Sequence, residues 1–309
     1  MTVDLHLVEL VLITIVTSAT PLLIAAVGEL VVERAGVLNL GVEGMMVVGA
    51  SVGFAVAYMS GSTLIGALAG IAAGMALSAL FAFLAIGLAT NQVATGLALT
   101  IFGLGLSNLI GASFVGQKRD PAPNLYIPGL SDIPLIGKLV FGQDAFIYCG
   151  IALVFAVSWY LFKTRAGLTL RAVGESHSSA HALGVPVRKI RILAVLFGGG
   201  CAGLAGAFLP LADTPFWSPG MTAGRGWIAL ALVVFASWRP WRVVWGALLF
   251  GGATMIQLHL QALGVGLPGQ LLSALPYLAT IIALIVLSIR DRRGGAAPAA
   301  LGVPFVADR

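Results

Sequence analysis

Ser62-Thr-Leu-Ile-Gly-Ala-Leu-Ala-Gly-Ile-Ala-Ala-Gly-Met-Ala-Leu-Ser-Ala-Leu-Phe-Ala-Phe-Leu-Ala-Ile-Gly-Leu88 runs for 27 residues without a charge. About 20 mostly apolar residues suffice to cross a bilayer as a helix, whereas a barrel strand alternates over only ~10. The run therefore predicts a membrane-crossing helix, and the rest of the chain agrees with it. The 309 residues are 59% hydrophobic and 9% charged, against roughly 25% charged in a soluble domain. Mean hydropathy is +1.02. Glycine, at 40 residues, suits close packing of helices in lipid, where no hydrophobic force draws them together. A soluble globular protein is excluded.

Outward from that run, comparable stretches lie at 7–27, 37–59, 92–112, 145–162, 190–211, 226–237, 243–262 and 269–289. With 62–88 they make nine expected spans of an all-α polytopic bundle, the weakest being the half-length 226–237. Residues 1–293 read as one transmembrane domain. The segment 294–309, rich in Ala, Gly and Pro, reads as a loose, flexible tail. Cys149 and Cys201 fall inside apolar runs and read as small buried hydrophobes. Residues 1–10 carry no basic residue, so the first run is expected to stay in place rather than be cleaved as a signal peptide.

Cytoplasmic loops carry the excess of Lys and Arg. With the loop 163–189 inside, 13 of the 17 basic residues fall inside, leaving Lys118, Arg119, Lys138 and Arg225 outside. The expected topology is N-terminus out and C-terminus in. Two crossings on either side of Trp238-Arg-Pro-Trp-Arg242 keep that turn and the Arg290-Asp-Arg-Arg293 cluster together on the inner side. The turn reads as an interfacial anchor or as a docking point. A net charge of +5 follows from topology and does not indicate nucleic-acid binding.

Enzyme readings fail on spacing. In Gly111-Ala-Ser-Phe-Val-Gly-Gln-Lys118 a glutamine separates the second glycine from the lysine, so no phosphate-binding loop forms. His177 and His181 stand four apart but lack the intervening glutamate of a zinc peptidase and a third ligand. Nothing ties Ser113 to His259 as an intramembrane hydrolase.

Polar groups inside apolar runs remain, and these are functional candidates by default. In Gly36-Val-Leu-Asn-Leu-Gly-Val-Glu-Gly-Met-Met46, Asn39 and Glu43 share one helical face among glycines that let a helix break. Such a stretch either lines a solute path or glues helices together. Asn91-Gln92-Val-Ala-Thr95 opens another span, with Asn91 a possible helix cap. Phe216 and Trp217 begin a Gly-rich stretch ending in Arg225-Gly-Trp227, either a solute mouth or an interfacial belt. Between the fifth and sixth runs, Gly174 and Gly184 bound a short predicted helix, 175–183, with Pro186 as a stop signal. This segment reads as a docking element or a structured linker.

Three segments carry a resemblance: Glu33-Arg-Ala-Gly-Val-Leu-Asn-Leu-Gly-Val-Glu-Gly-Met-Met-Val-Val-Gly-Ala50; Thr164-Arg-Ala-Gly-Leu-Thr-Leu-Arg-Ala-Val-Gly174 with Ala182-Leu-Gly-Val185; and Pro219-Gly-Met-Thr-Ala-Gly-Arg-Gly-Trp-Ile-Ala-Leu-Ala231 with Trp238-Arg-Pro240. Together they resemble the permease subunits of ABC importers in the branched-chain amino acid, ribose and nucleoside group, closest to the nucleoside or simple-sugar branch. The resemblance implies a multi-pass protein of the bacterial cytoplasmic membrane that is not itself an enzyme. It implies a second permease subunit or a second copy, a cytoplasmic ATPase that uses the ATP, and an extracytoplasmic solute-binding lipoprotein. It binds no cofactor directly and no nucleic acid, and its remaining partner is membrane lipid. Residues 163–189 would be the coupling loop, with Arg171, Gly174, Glu175, His177, Ala180, His181, Leu183 and Gly184 at the ATPase. Asn39, Glu43, Gln92, Thr95, Phe216 and Trp217 would line the path of a nucleoside or sugar. A branched-chain amino acid is the alternative substrate class, and a self-sufficient carrier using Glu43 as its proton site is the alternative mechanism.

Overall fold

Capping side chains punctuate the long apolar runs. Ser62, Asn91, Asp144 and Thr164 each accept a hydrogen bond from a first-turn amide of the helix that follows, satisfying donors that have no partner inside the helix. In the computed structural model, which describes residues 5–131, 133, 136–262, 268, 270, 271, 274, 278, 281, 282, 285 and 297–306, the helices are α1 (Leu5–Arg34), α2 (Val42–Ser60), α3 (Thr63–Ala82), α4 (Gln92–Gly111), α5 (Ile136–Phe141), α6 (Ala145–Lys163), α7 (Arg165–Glu175), α8 (His177–Ala182), α9 (Val187–Phe208), α10 (Arg225–Phe235) and α11 (Pro240–Ala262). Among the described residues there is no strand, only the isolated bridges Lys118–Phe216 and Asn124–Asp144.

Among the described residues, seven of the expected stretches form helices long and apolar enough to cross a membrane. The 226–237 run is the 11-residue helix α10, about 16 Å long at 1.5 Å per residue, too short for hydrocarbon about 30 Å thick. The 269–289 run lies largely outside the described residues.

At the centre α9 packs on α1, α2 and α3, and α2 also packs on α4. Small residues set these approaches. A Cβ on Gly49 would stand 2.5 Å from the Gly203 carbonyl oxygen, and one on Gly74 would stand 2.7 Å from the Gly203 Cα. Cys201 is free and buried and faces Gly28, while Cys149 is free and half-buried.

Two breaks interrupt the bundle. The first is 35–41, between α1 and α2, which is not helical yet is mostly buried. The second is 214–224, which leads into α10. Gly36 lies beside Arg191 and Met46 beside Gly206. The 15 residues of chain separating those two levels on α9 span about 22 Å, so 35–45 climbs from one end of the bundle deep into it.

Candidate functional site

A buried non-helical segment must satisfy its own backbone, and inside a bilayer protein it survives only where protein does so. Residues 35–41 are served by two of the side chains expected to contact solute, Gln92 and Asn39, and by Thr100, which was not among them. Gln92 Oε1 accepts from Leu38 N at 2.8 Å, Asn39 Oδ1 accepts from Gly41 N at 3.0 Å, and Thr100 Oγ1 donates to the Leu40 carbonyl at 3.0 Å. Asn39 Nδ2 lies 3.5 Å from Met45 Sδ. Both Asn39 and Gln92 are buried.

Glu43, in the first turn of α2, reaches the start of α10. Gly224, the residue before α10, has no side chain with which to cap it. Glu43 does so instead, its Oε1 accepting from Thr222 Oγ1 at 2.6 Å and Gly224 N at 2.9 Å, and its Oε2 from Gly226 N at 2.6 Å. A carboxylate on exposed helix amides is favoured both by the hydrogen bonds and by the helix dipole. Contact is close enough that a Cβ on Gly226 would stand 2.5 Å from the Glu43 Cα. The N-termini of α2 and α10 thus converge inside the bundle.

The other expected path residues lie elsewhere. Thr95 is half-buried and bonds Thr90 Oγ1 and the Asn91 carbonyl at 2.9 and 2.8 Å. Trp217 is buried against Gly111, eight residues or about 12 Å of α4 from Gly103, which faces Gly44. Phe216 is 42% exposed and bridges to Lys118. The structure therefore groups Asn39, Glu43 and Gln92, places Thr95 one helical turn from Gln92 on α4, and sets Phe216 and Trp217 apart.

α10 ends near the α7–α8 side of the bundle, in a turn with left-handed Ser237 and Trp238 (φ 50° and 54°). The Trp238 indole donates to Glu33 Oε2 at 2.6 Å, and Arg34 Nη2 donates to the Trp238 carbonyl at 3.1 Å. Trp238 is buried, so it is a packing residue rather than an interfacial anchor, whereas Trp241 is exposed and meets Phe155 edge-on. Glu29, one turn before Glu33, is buried with neither carboxylate oxygen hydrogen-bonded.

The expected 175–183 helix is divided. Gly174 and Glu175 finish α7, and Ser176 breaks the chain and caps the six-residue α8, which ends near Gly184 at φ 80°. Arg171 lies over the Phe162 ring at 5.1 Å. Ala180 is buried, and Leu183 is 84% exposed.

The last described stretch, 297–306, of the segment whose composition suggested a loose tail makes contacts with the α7–α8 end. Ala300 N donates to the Gly174 carbonyl at 2.9 Å, Gly302 N to the Gly36 carbonyl at 3.3 Å, and Ala299 N to Glu175 Oε2 at 3.4 Å. Phe305 is buried between the His177 and His181 rings, 5.4 and 5.2 Å away. Small residues can dock by backbone bonds alone, which composition does not reveal.

Arg191 joins these parts. Fully buried, it donates to the Ala35 and Val303 carbonyls at 3.2 and 3.0 Å, and its Nη2 lies 3.3 Å from His177 Nδ1. Burial, and then the Arg191 cation, hold the His177 imidazole below its ordinary pKa. Reading charge by topology counted Arg191 only as one inner cation. An arginine one turn inside an apolar helix was the available signal that it is held by partners.

Residues 11–288 match the protein family described as branched-chain amino acid transport system / permease component. The chain is 46% identical over 297 residues to TsgC13 of Haloferax volcanii, provisionally named a glucose ABC transporter permease protein, covering 89% of this chain and 90% of that one. It is 34% identical to the guanosine ABC transporter permease protein NupQ of Bacillus subtilis, over 93% of both chains. It is 33% identical to the nucleoside ABC transporter permease protein NupC of Lactococcus lactis, over 89% of this chain and 91% of that one.

Proposed function

The chain belongs to the branched-chain amino acid transport system / permease component family, and from that premise we propose that it forms half of the translocation path of an ATP-driven importer for a nucleoside or simple sugar. It is a multi-pass membrane permease and not an enzyme. In this reading it sits in the cytoplasmic membrane with its N-terminus outside and the α7–α8 end inside. It pairs with a second permease subunit and receives solute from an extracytoplasmic binding lipoprotein. A cytoplasmic ATPase, which uses the ATP, meets α8 and its flanks, Arg171 to Gly184.

The observation that carries this reading is the continuous set of contacts from α8 to the interior. His177 meets Arg191, Arg191 holds Ala35, and 35–41 leads to the α2–α10 junction at Glu43. A displacement of α8 reaches the two breaks through buried hydrogen bonds rather than through lipid-exposed side chains. Relatives named for glucose, guanosine and nucleoside transport support a polyhydroxylated or ring-bearing solute. Against the proton-carrier alternative, both oxygens of Glu43 are already engaged as acceptors by three donors that join α2 to the start of α10, which uses the side chain as a helix cap.

Co-expression with the cognate ATPase and purification in detergent tests the coupling. The two co-elute in this reading, and loss of the complex on Leu183→Asp, at the exposed end of α8, with the fold retained by circular dichroism, locates the contact at α8. Co-elution unaffected by Leu183→Asp overturns that location. Competition of labelled guanosine uptake by unlabelled glucose and leucine assigns the solute class.

A further inference from the structure

A crevice of about 580 Å³ opens between α6, α7 and α9. Leu153 and Ala156 of α6 and Leu193 and Phe197 of α9 form its walls, and Thr169 and Leu170 of α7 close one end. Its size suits a ligand cleft, but its lining offers a polar solute little. The Thr169 hydroxyl already donates to the Arg165 carbonyl at 3.0 Å. Because α6 and α9 are membrane-crossing helices, the natural occupant of an apolar slot open between them is a hydrocarbon chain.

The charge around the closed end is one-sided. Lys163 and Arg165 flank the α6–α7 junction, Arg188 and Lys189 precede Ile190 at the start of α9, and all four are exposed. From Ala145 to Phe208 the sole acid is Glu175, and it accepts Ala299 N in the docked C-terminal stretch. Meanwhile α7 buries Gly167, Leu170, Val173 and Gly174 on one face yet leaves Leu168 60% exposed, as suits a helix lying along a headgroup layer. Basic pockets at the ends of spanning helices complement anionic headgroups, each cation contributing about 1 kcal/mol.

We propose that this crevice is a binding site for an anionic glycerophospholipid, with one acyl chain in the slot between α6 and α9 and the phosphate among Lys163, Arg165 and Lys189. The site depends on the membrane topology alone and stands whichever solute the protein carries.

Native mass spectrometry tests it. The full chain, purified in detergent and equilibrated with equal amounts of palmitoyl-oleoyl phosphatidylglycerol and phosphatidylcholine, retains phosphatidylglycerol preferentially. Arg165→Gln and Lys189→Gln each lower that preference by about fivefold. Ala156 is an exposed wall residue, so Ala156→Trp fills the slot without disturbing the core and abolishes retention of both lipids. Should that variant fail to fold, Leu193→Trp fills the slot from the opposite wall. Equal retention of the two lipids, a preference unmoved by the charge-removing variants, or lipid held despite the filled slot overturns the proposal. So does a crosslink between Ala156→Cys residues of two chains, which assigns the crevice to a second copy.

Discussion

Glu43 shows how one residue type carries two readings that only non-local geometry separates. Sequence placed it with Asn39 on one face of a glycine-broken helix and left path lining and structural glue open. Its three donors come from 222–226, about 180 residues away, and nothing in local spacing announces them. Glu43→Gln keeps one acceptor and turns an amide towards Gly226 N–H, so it is expected to destabilise the fold by about 1–3 kcal/mol. A lower midpoint of thermal unfolding in detergent checks this. Thr222→Val removes one charge-assisted bond and is expected to cost about 1–2 kcal/mol by the same measurement. Gly226→Ala is a steric test, because its Cβ would stand 2.5 Å from the Glu43 Cα. Separation of α2 from α10 should abolish uptake while leaving helix content by circular dichroism near wild type.

At the scale of elements, the long helices were legible because length and apolar content suffice to define them, and Asn91 does cap α4 as its position suggested. What was not legible was where an element stops short. The 226–237 run ends as a short helix because a left-handed turn at Ser237 and Trp238 is bound to Glu33 and Arg34 of α1, a partnership from across the chain. The contacts of the 297–306 stretch were not legible for a related reason, since they use backbone groups and a single aromatic, Phe305, set between two histidines. This gives a pH prediction for the stretch 297–306. With the His177 pKa lowered in the folded state, the unfolded chain binds the extra proton first. The contribution of His177 to docking is therefore present above its ordinary value of 6.5 and is lost as pH falls towards the lowered folded value. Amide exchange at Ala300 and Gly302, corrected for intrinsic rate, should accelerate between pH 7.5 and 5.5, and His177→Ala should flatten that dependence. Exchange that is equally pH-dependent in the variant would assign the change to another group.

For the whole molecule, composition alone specified a multi-pass helical bundle, because 9% charge leaves no soluble alternative. Packing order and depth were not legible, since α9 was one apolar run among nine until its glycines were found against α2 and α3. The same holds for the route from the α7–α8 end to the interior, which depends on Arg191 reaching Ala35, Val303 and His177 at once. Arg191→Gln is expected to leave the permease folded enough to bind its ATPase but to lower transport per ATP hydrolysed by about tenfold or more, which simultaneous uptake and phosphate-release assays measure. An energy of about 1.4 kcal/mol corresponds to that factor, within the ordinary range for a buried charged hydrogen bond. The proposal's central claim, that movement is driven through α8 by a partner ATPase and not by protons at Glu43, is tested most directly in proteoliposomes. The permease, reconstituted with its partner subunits and solute-binding protein, should accumulate labelled nucleoside or sugar only when ATP is supplied to the ATPase side, with no response to an imposed pH gradient. Accumulation by this chain alone, driven by a pH gradient and abolished by Glu43→Gln, would contradict it.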